Sequence, residues 1–132
     1  MKIVINRCYG GFGLSRNAIK RYLELCGKEC CFYEKVGNSY VKCNYNCSNY
    51  FVYCLTKDMG KTIEDYPEDC YFSYYEIERN DPTLVQVVEE LGENANGDYS
   101  KLEVVEIPDD VSWEIGEYDG VETISEIHRT WY

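Results

Sequence analysis

The pattern of apolar and polar residues predicts a chain of short strands and two helices. The first strand lies at residues 2–8, where the consecutive β-branched residues Ile3, Val4 and Ile5 indicate a buried position near the centre of a sheet. Further runs rich in β-branched and aromatic residues, bounded by residues typical of turns, predict more strands. These runs are residues 30–36, 49–56, 70–78, 101–107 and 112–118.

Two segments have the spacing of amphipathic helices. In residues 15–26 apolar positions recur at i, i+3 and i+4, and Ser15 is a suitable N-cap. In residues 82–91 the same spacing follows Asp81 as N-cap and Pro82 at the first helical position. The sequence therefore predicts helices at about these two places.

The last apolar segment, residues 121–127, fits two structures. Val121, Ile124 and Ile127 have helical spacing, which predicts a short C-terminal helix. The preceding dipeptide Asp119–Gly120 is typical of a hairpin turn, so a second strand is the alternative. Of the two, we favour the helix.

Together these elements predict an α+β fold, with a mainly antiparallel sheet and both helices packed on one face of it. The chain has 132 residues and shows no internal repeat or linker, so we expect a single domain over residues 1–132. No apolar run approaches the ~18 residues that a membrane-spanning helix needs. Asn6 and Arg7 interrupt the first apolar run, where a signal peptide needs apolar residues. We therefore expect a cytoplasmic protein with no membrane partner.

Charge is distributed unevenly along the chain. Residues 1–66 contain ten Lys and Arg against six Asp and Glu, whereas residues 67–132 contain three against eighteen, a net charge of −15. Such acidity repels phosphate backbones, so we expect no direct binding to nucleic acid. The acidic half is either a solvated surface or a mimic of nucleic acid towards a basic partner. The 14 tyrosines suit interfaces and ligand-binding walls, because each combines an apolar ring with a polar hydroxyl.

The eight cysteines have more than one interpretation. A cytoplasmic protein of this size does not need disulfides, so we expect free thiols that pack as small apolar side chains. The alternative is a zinc site built from two pairs with C-x3-C spacing, Cys26 with Cys30 and Cys43 with Cys47. We expect neither a metal nor a cofactor, and the zinc site remains the alternative.

The segment from Asn6 to Ser15, NRCYGGFGLS, connects the first strand to the first helix and carries the most chemistry. Backbone amides without side chains, a positive helix end and an arginine are the parts of a phosphate or carboxylate site. The glycines follow GGxG and match neither the dinucleotide-binding nor the P-loop fingerprint. The alternative is a tight turn that tucks Phe12 under the sheet. The candidate ligand-binding residues here are Asn6, Arg7, Tyr9, Gly10, Gly11, Phe12, Gly13 and Ser15.

Four residues from the second half join this candidate set. Arg129 is one of three basic residues after position 66, so it either binds an anion or pairs with a carboxylate. Arg79 faces the same choice beside the second helix. Trp131 either stacks on a planar ligand or fills the edge of the core. His128 is the one histidine, and with no Ser or Cys beside it we expect it to contact ligand rather than catalyse.

The two ends of the chain resemble a widespread family of small, uncharacterised proteins encoded by bacteriophages and prophages. The motifs that carry the resemblance are KIVINRCYGGFGLS, residues 2–15, and EIPDDVSWEIGEYDGVETISEIHRTW, residues 106–131. It covers roughly the first 25 and the last 60 residues and leaves the Cys- and Tyr-rich middle unmatched. It implies an accessory protein in the cytoplasm of an infected or lysogenic bacterium, and it brings no catalytic residues with it.

This context favours binding over catalysis. The first hypothesis is an anti-defence sponge, a homo-oligomer that binds a small anionic nucleotide-derived ligand, such as a cyclic nucleotide or an ADP-ribose-type immune signal, without turning it over. The alternative is an acidic inhibitor or nucleic-acid mimic that binds a host or phage enzyme. An enzyme ranks last, because the sequence shows no nucleophile with an adjacent base.

Overall fold

The structure, a computed structural model, describes residues 1–47 and 52–127. It contains two α-helices of ten residues each, eight β-strands and three short 3₁₀ turns within those residues. The helices are α1 (Arg16–Leu25) and α2 (Pro82–Leu91). The strands are β1 (Lys2–Asn6), β2 (Cys31–Val36), β3 (Ser39–Cys43), β4 (Val52–Leu55), β5 (Thr62–Ile63), β6 (Leu102–Glu106), β7 (Trp113–Tyr118) and β8 (Val121–Glu126).

All strand pairs are antiparallel within the described residues, which confirms the α+β prediction. The strands form three small sheets rather than one. β1 pairs with β6, β7 pairs with β8 in a hairpin, and the remaining strands form a sheet in the order β4-β2-β3-β5. The two helices contact each other, and α2 also contacts β1 and β6.

Both helices begin where local sequence signals place them. The Ser15 hydroxyl accepts a hydrogen bond from the Ala18 amide at 3.1 Å, and the Asp81 carboxylate accepts one from the Thr83 amide at 2.8 Å. Each bond satisfies one amide that the first turn of a helix leaves without a partner. Within residues 1–47 and 52–127, no helix has the length and apolar character that crossing a membrane requires.

The predicted C-terminal helix is wrong, and the alternative hairpin is present. Asp119 and Gly120 have φ angles of 51° and 91°, the two positive values that a type I′ turn requires. This turn reverses the chain so that Val121–Glu126 pairs along the whole of β7. The β-branched residues of this segment favour extended backbone over a helix, although their spacing fits both.

The predicted strand at residues 70–78 is also wrong. Its pairing is limited to an isolated bridge between Tyr71 and Leu55, after which Tyr74–Glu76 forms a 3₁₀ turn. Phe72 and Ile77 both pack against the main core. Residues five apart in a strand would lie on opposite faces, so only a turn allows both side chains to reach the core.

The first strand is buried, but it is not in the middle of a sheet as predicted. β1 has one neighbouring strand, β6, and Ile3, Val4 and Ile5 are nevertheless 0% exposed. Contacts with α2 and β8 cover the strand, and the Val4 amide donates to the Arg79 carbonyl at 2.8 Å. Helix, hairpin and loop thus replace the strands that would have covered β1 in a wider sheet.

One buried ion pair joins these parts of the fold. The Arg79 guanidinium makes two bonds to the Glu122 carboxylate, at 2.6 and 2.8 Å, and Glu122 is only 5% exposed. The same carboxylate accepts the Asn6 amide at 2.7 Å, and the guanidinium lies 3.6 Å from the centre of the Phe12 ring. A bidentate, hydrogen-bonded geometry is what a buried charge pair needs to offset desolvation.

We expect Arg79→Met to destabilise the protein by about 3–5 kcal/mol, because it leaves the buried Glu122 carboxylate without its counter-charge. The matched control is Arg21→Met, which removes a half-exposed arginine whose partner Glu90 is exposed. That variant should lose less than about 1 kcal/mol. Urea unfolding followed by circular dichroism measures both. Equal losses in the two variants would contradict the central role of the buried pair.

Candidate functional site

The glycine-rich loop and a second loop enclose a cavity of about 270 Å³. The first wall is residues 10–14, between β1 and α1, and the second is residues 97–100, before β6. We call this space the glycine-loop cavity. Two backbone hydrogen bonds join the loops, from the Ser15 amide to the Ala95 carbonyl at 2.9 Å and from the Gly97 amide to the Gly13 carbonyl at 3.2 Å.

Close approach of the two loops explains why glycines stand here. A Cβ atom at Gly97 would lie 3.1 Å from the backbone carbon of Gly13, and one at Gly10 would overlap Tyr99. Gly11 has a φ of 95°, which side chains disfavour. The Ser100 hydroxyl completes the junction by donating to the Gly13 carbonyl at 2.7 Å. The loops are therefore held rigidly against each other.

The protein uses only some of the backbone N–H groups along the first wall in its own hydrogen bonds. Within residues 1–47 and 52–127, the amides of Gly10, Phe12 and Gly13 donate to no acceptor. The amides of Phe12 and Gly13 are adjacent, and free amides at a loop that leads into a helix favour anions. That this loop binds an anion stays a prediction.

Tyrosine rings form the remaining wall. The rings of Tyr74 and Tyr75 are 4.6 Å apart between centroids, and Tyr74 also contacts Phe12 edge-on at 5.9 Å. Burial, followed by the hydrogen bond with Tyr75, raises the pKa of Tyr74 well above its usual value, so its phenol is protonated at neutral pH. Tyr75 and Tyr99 are 71% and 63% exposed. They offer rings on which a planar group can stack.

The predicted candidates divide between the cavity wall and its support. Gly10, Gly11, Phe12 and Gly13 line the cavity, whereas Ser15 caps α1. The remaining candidates of the loop, Asn6, Arg7 and Tyr9, do not line it.

Asn6 is fully buried and fixes the loop from beneath. Its side-chain amide donates to the carbonyls of Cys8 and Gly120 at 2.7 Å each, and its oxygen accepts from the Lys101 amide at 2.8 Å. Tyr9 is 75% exposed. Asn6 therefore positions the loop, and its polar atoms are already used by the protein.

The two predicted arginines that the structure describes are committed to ion pairs. Arg7 pairs with Glu103 at 2.9 Å and donates to the Glu122 carbonyl at 3.2 Å, and Arg79 pairs with Glu122. Neither side chain lines the glycine-loop cavity. The predictions for His128, Arg129 and Trp131 lie outside the described residues.

Sequence reasoning missed the second wall of the cavity. Gly97, Tyr99 and Ser100 belong to a segment that reads as an ordinary polar loop, and Tyr74 and Tyr75 fell within the wrongly predicted strand. The available signal was a glycine beside an aromatic residue in a polar loop, which indicates close backbone approach. That signal does not identify which loop is approached.

All eight cysteines are free thiols, and four of them form two separate close pairs. Cys43 and Cys47 lie together with Glu34. The sulfur atoms of Cys30 and Cys54 are 3.5 Å apart, and Cys26 is exposed at the end of α1. The four cysteines of the alternative zinc site therefore do not converge on one point.

The Cys30–Cys54 contact divides the two thiols into a more acidic and a less acidic partner. The hydrogen bond from Cys54 lowers the pKa of Cys30, as does the charge of Lys20, against the opposing effect of burial. The same bond, with burial, raises the pKa of Cys54 far above its usual value. Because Cys30 is partly exposed, it is the partner that can react as a thiolate.

No family model, curated protein or solved structure matches this chain. The function is therefore argued from the cavity, the surface and the chemistry of the described side chains.

We expect Cys54→Ala to shift the pH profile of iodoacetamide labelling at Cys30 to higher pH, because the thiolate loses its hydrogen-bond donor. Cys54→Ser keeps a donor and should leave the profile near that of the parent protein. Peptide fragmentation in a mass spectrometer separates labelling at Cys30 from labelling at the adjacent Cys31. Identical profiles in both variants would show that the hydrogen bond does not set the reactivity of Cys30.

Proposed function

We propose that this protein binds a small anionic nucleotide-derived ligand in the glycine-loop cavity without turning it over, as a phage-encoded accessory protein directed against host defence. The observation that carries the proposal is the combination of amides without acceptors, at Gly10, Phe12 and Gly13, with tyrosine rings around one cavity. Amides favour the phosphate of such a ligand, and tyrosines favour its base. The resemblance of the chain ends to phage proteins supplies the biological context.

The size of the cavity restricts the ligand. Its volume of about 270 Å³ lies just below the range of about 300–1,000 Å³ typical of small-molecule sites. It suits a phosphate with part of a nucleoside, and a larger ligand would extend over the exposed rings of Tyr75 and Tyr99. A second copy of the chain would enclose that exposed part of the ligand. We therefore propose that the protein binds its ligand as a homo-oligomer.

The electrostatics favour recognition through the backbone. Arg7 and Arg79 are held by Glu103 and Glu122, and Asp98 is a cavity-lining carboxylate. Amide dipoles in a partly enclosed site attract an anion without an adjacent full charge. A ligand with few negative charges is therefore preferred over a polyphosphate, which Asp98 would repel.

The cavity favours binding over catalysis. Among the lining residues, Ser100 has the aliphatic hydroxyl that could act as a nucleophile. This hydroxyl accepts a hydrogen bond from the Gly97 amide at 2.7 Å and donates one to the Gly13 carbonyl. A catalytic serine needs its proton taken by a base, and here the proton is held by a carbonyl. This use of Ser100 supports a protein that retains its ligand.

We expect Gly13→Ala to weaken ligand binding at least tenfold while preserving the fold. The new methyl would lie 3.4 Å from the Tyr74 hydroxyl and 4.0 Å from the Ser100 hydroxyl, so it fits without a clash but occupies the cavity. Gly116→Ala is the matched control, because its methyl would lie 3.5 Å from the Thr123 hydroxyl, on the β7–β8 hairpin.

Isothermal titration with AMP, 3′,5′-cyclic AMP and ADP-ribose measures the affinities of the parent protein and both variants. Native mass spectrometry of the same samples reports the oligomeric state. The proposal fails if none of the three ligands binds the parent protein at millimolar concentration. It also fails if Gly13→Ala binds as well as Gly116→Ala.

A second candidate function, binding to a basic protein, is favoured by a different surface. The rings of Tyr40, Tyr53, Tyr66 and Tyr71 form contacts of 5.4–6.1 Å between centroids, and Tyr66 and Tyr71 are 45% and 44% exposed. Four exposed carboxylates adjoin this tyrosine patch in sequence and form no ion pair with a described residue. They are Glu64, Asp65, Glu68 and Asp69. Exposed tyrosines with a charged rim are typical of protein interfaces.

If this surface binds a basic protein, neutralising Glu64, Asp65, Glu68 and Asp69 together as Gln and Asn should abolish the complex. Neutralising Glu93, Glu106, Asp110 and Glu114 changes the net charge equally and should leave it intact. Co-purification from infected bacteria at increasing salt, read by mass spectrometry, makes the comparison. Loss in both variants would indicate a response to net charge rather than to this surface.

A further inference from the structure

Three potential metal ligands lie together on the two inner strands of the four-stranded sheet and in the turn after β3. Phe32 of β2 is paired with Cys43 of β3, and Glu34 follows Phe32 by two residues. Because side chains alternate along a strand, Glu34 and Cys43 extend from the same face of the sheet. The chain then turns after β3, where the Cys47 amide donates to the Asn44 carbonyl at 3.1 Å. This turn brings Cys47 back to the other two side chains.

The ligand atoms have the spacing that a tetrahedral ion needs. One carboxylate oxygen of Glu34 and the sulfur atoms of Cys43 and Cys47 all lie within 4.8 Å of one another. The Cys47 sulfur is 3.5 Å from the nearer oxygen of Glu34. Zn–S bonds of about 2.3 Å and Zn–O bonds of about 2.0–2.2 Å at tetrahedral angles place sulfur and oxygen about 3.5 Å apart. Little movement is therefore needed to bind the ion.

We propose that Glu34, Cys43 and Cys47 form a zinc site with three protein ligands. Thiolates select a soft or borderline ion such as Zn²⁺ over Mg²⁺ or Ca²⁺. Three ligands leave one coordination position for water or for a donor atom of another molecule.

The bound ion offsets most of the negative charge of its three ligands. Two thiolates and one carboxylate carry three negative charges, which Zn²⁺ reduces to one. The Arg16 guanidinium lies 3.9 Å from the Cys47 sulfur and donates to the Cys47 carbonyl at 2.7 Å. A positive charge beside the remaining negative charge lowers the cost of holding it in a partly buried site.

The proposed ligand set differs from the one that cysteine spacing indicated. Cys43 and Cys47 are retained, but Glu34 takes the place of Cys26 and Cys30. Single cysteine variants therefore distinguish the proposed ligand set from the four-cysteine set.

The test uses the full chain, purified under reducing conditions and titrated with Zn²⁺ and Co²⁺. We expect one zinc per chain by elemental mass spectrometry, and Co²⁺ spectra with thiolate charge-transfer bands and the intense visible bands of a tetrahedral site. Cys43→Ser combined with Cys47→Ser should abolish these bands. Glu34 is partly exposed, so Glu34→Gln should preserve the fold. Loss of a residue that only hydrogen-bonds to a metal ligand weakens metal binding roughly 10–100-fold, and loss of the Glu34 ligand should weaken zinc binding by at least as much.

Cys26→Ser is the matched control, and it should leave zinc stoichiometry and affinity unchanged in competition with a chromophoric chelator. Circular dichroism of the metal-free proteins checks that every variant is folded. The proposal is overturned if the folded parent protein binds no zinc at micromolar concentration. It is also overturned if Cys26→Ser loses zinc as the double variant does, or if Glu34→Gln retains the parent affinity.

Discussion

The buried pair between Arg79 and Glu122 is the interaction on which the rest of the structure depends. Its two charges are 43 residues apart in sequence and join the segment before α2 to the last described strand. Glu122 also accepts the Asn6 amide at the end of β1, and the Arg79 backbone accepts the Val4 amide. A carboxylate that is 5% exposed is stable only where such partners surround it, so the hairpin, the strand and the helix must dock together.

This constraint also determines the chemistry left for the glycine-loop cavity. The Arg79 guanidinium lies against the ring of Phe12, which holds the loop in place, and Asn6 joins that loop to Gly120 in the hairpin turn. Arg7 and Arg79, the arginines near the loop, are therefore held in ion pairs that stabilise the fold. In the proposed function, backbone amides and tyrosines would therefore recognise the anion. This requires an ordered loop, because amides bind well only when already oriented.

The four-stranded sheet contributes to two cores, because Phe32 and Cys54 belong to the main core and a second core lies on the other face. Tyr33, Tyr40, Leu55 and Cys70 form a small core of their own, separate from the main core that contains both helices. This sheet comes from the Cys- and Tyr-rich middle of the chain. The tyrosine patch and the proposed zinc ligands lie in or beside this sheet, whereas the loops before α1 and before β6 line the glycine-loop cavity.

The sequence by itself determined the local features: the α+β class, the starts of both helices at Ser15 and Asp81, the burial of Ile3–Ile5, and the glycine loop as a candidate site. Each depends on hydrogen bonds or side-chain periodicity within a few residues. For residues 121–126 the local signals allowed both a helix and a hairpin, and pairing with β7 forms the strand. Only the tertiary structure decided that Arg79 pairs with Glu122 and that Gly13 meets Ser100. Those contacts join residues 43 to 87 positions apart in sequence. Local propensity does not encode the partner at such a separation, because the choice depends on which buried charges and surfaces remain to be satisfied when the elements pack.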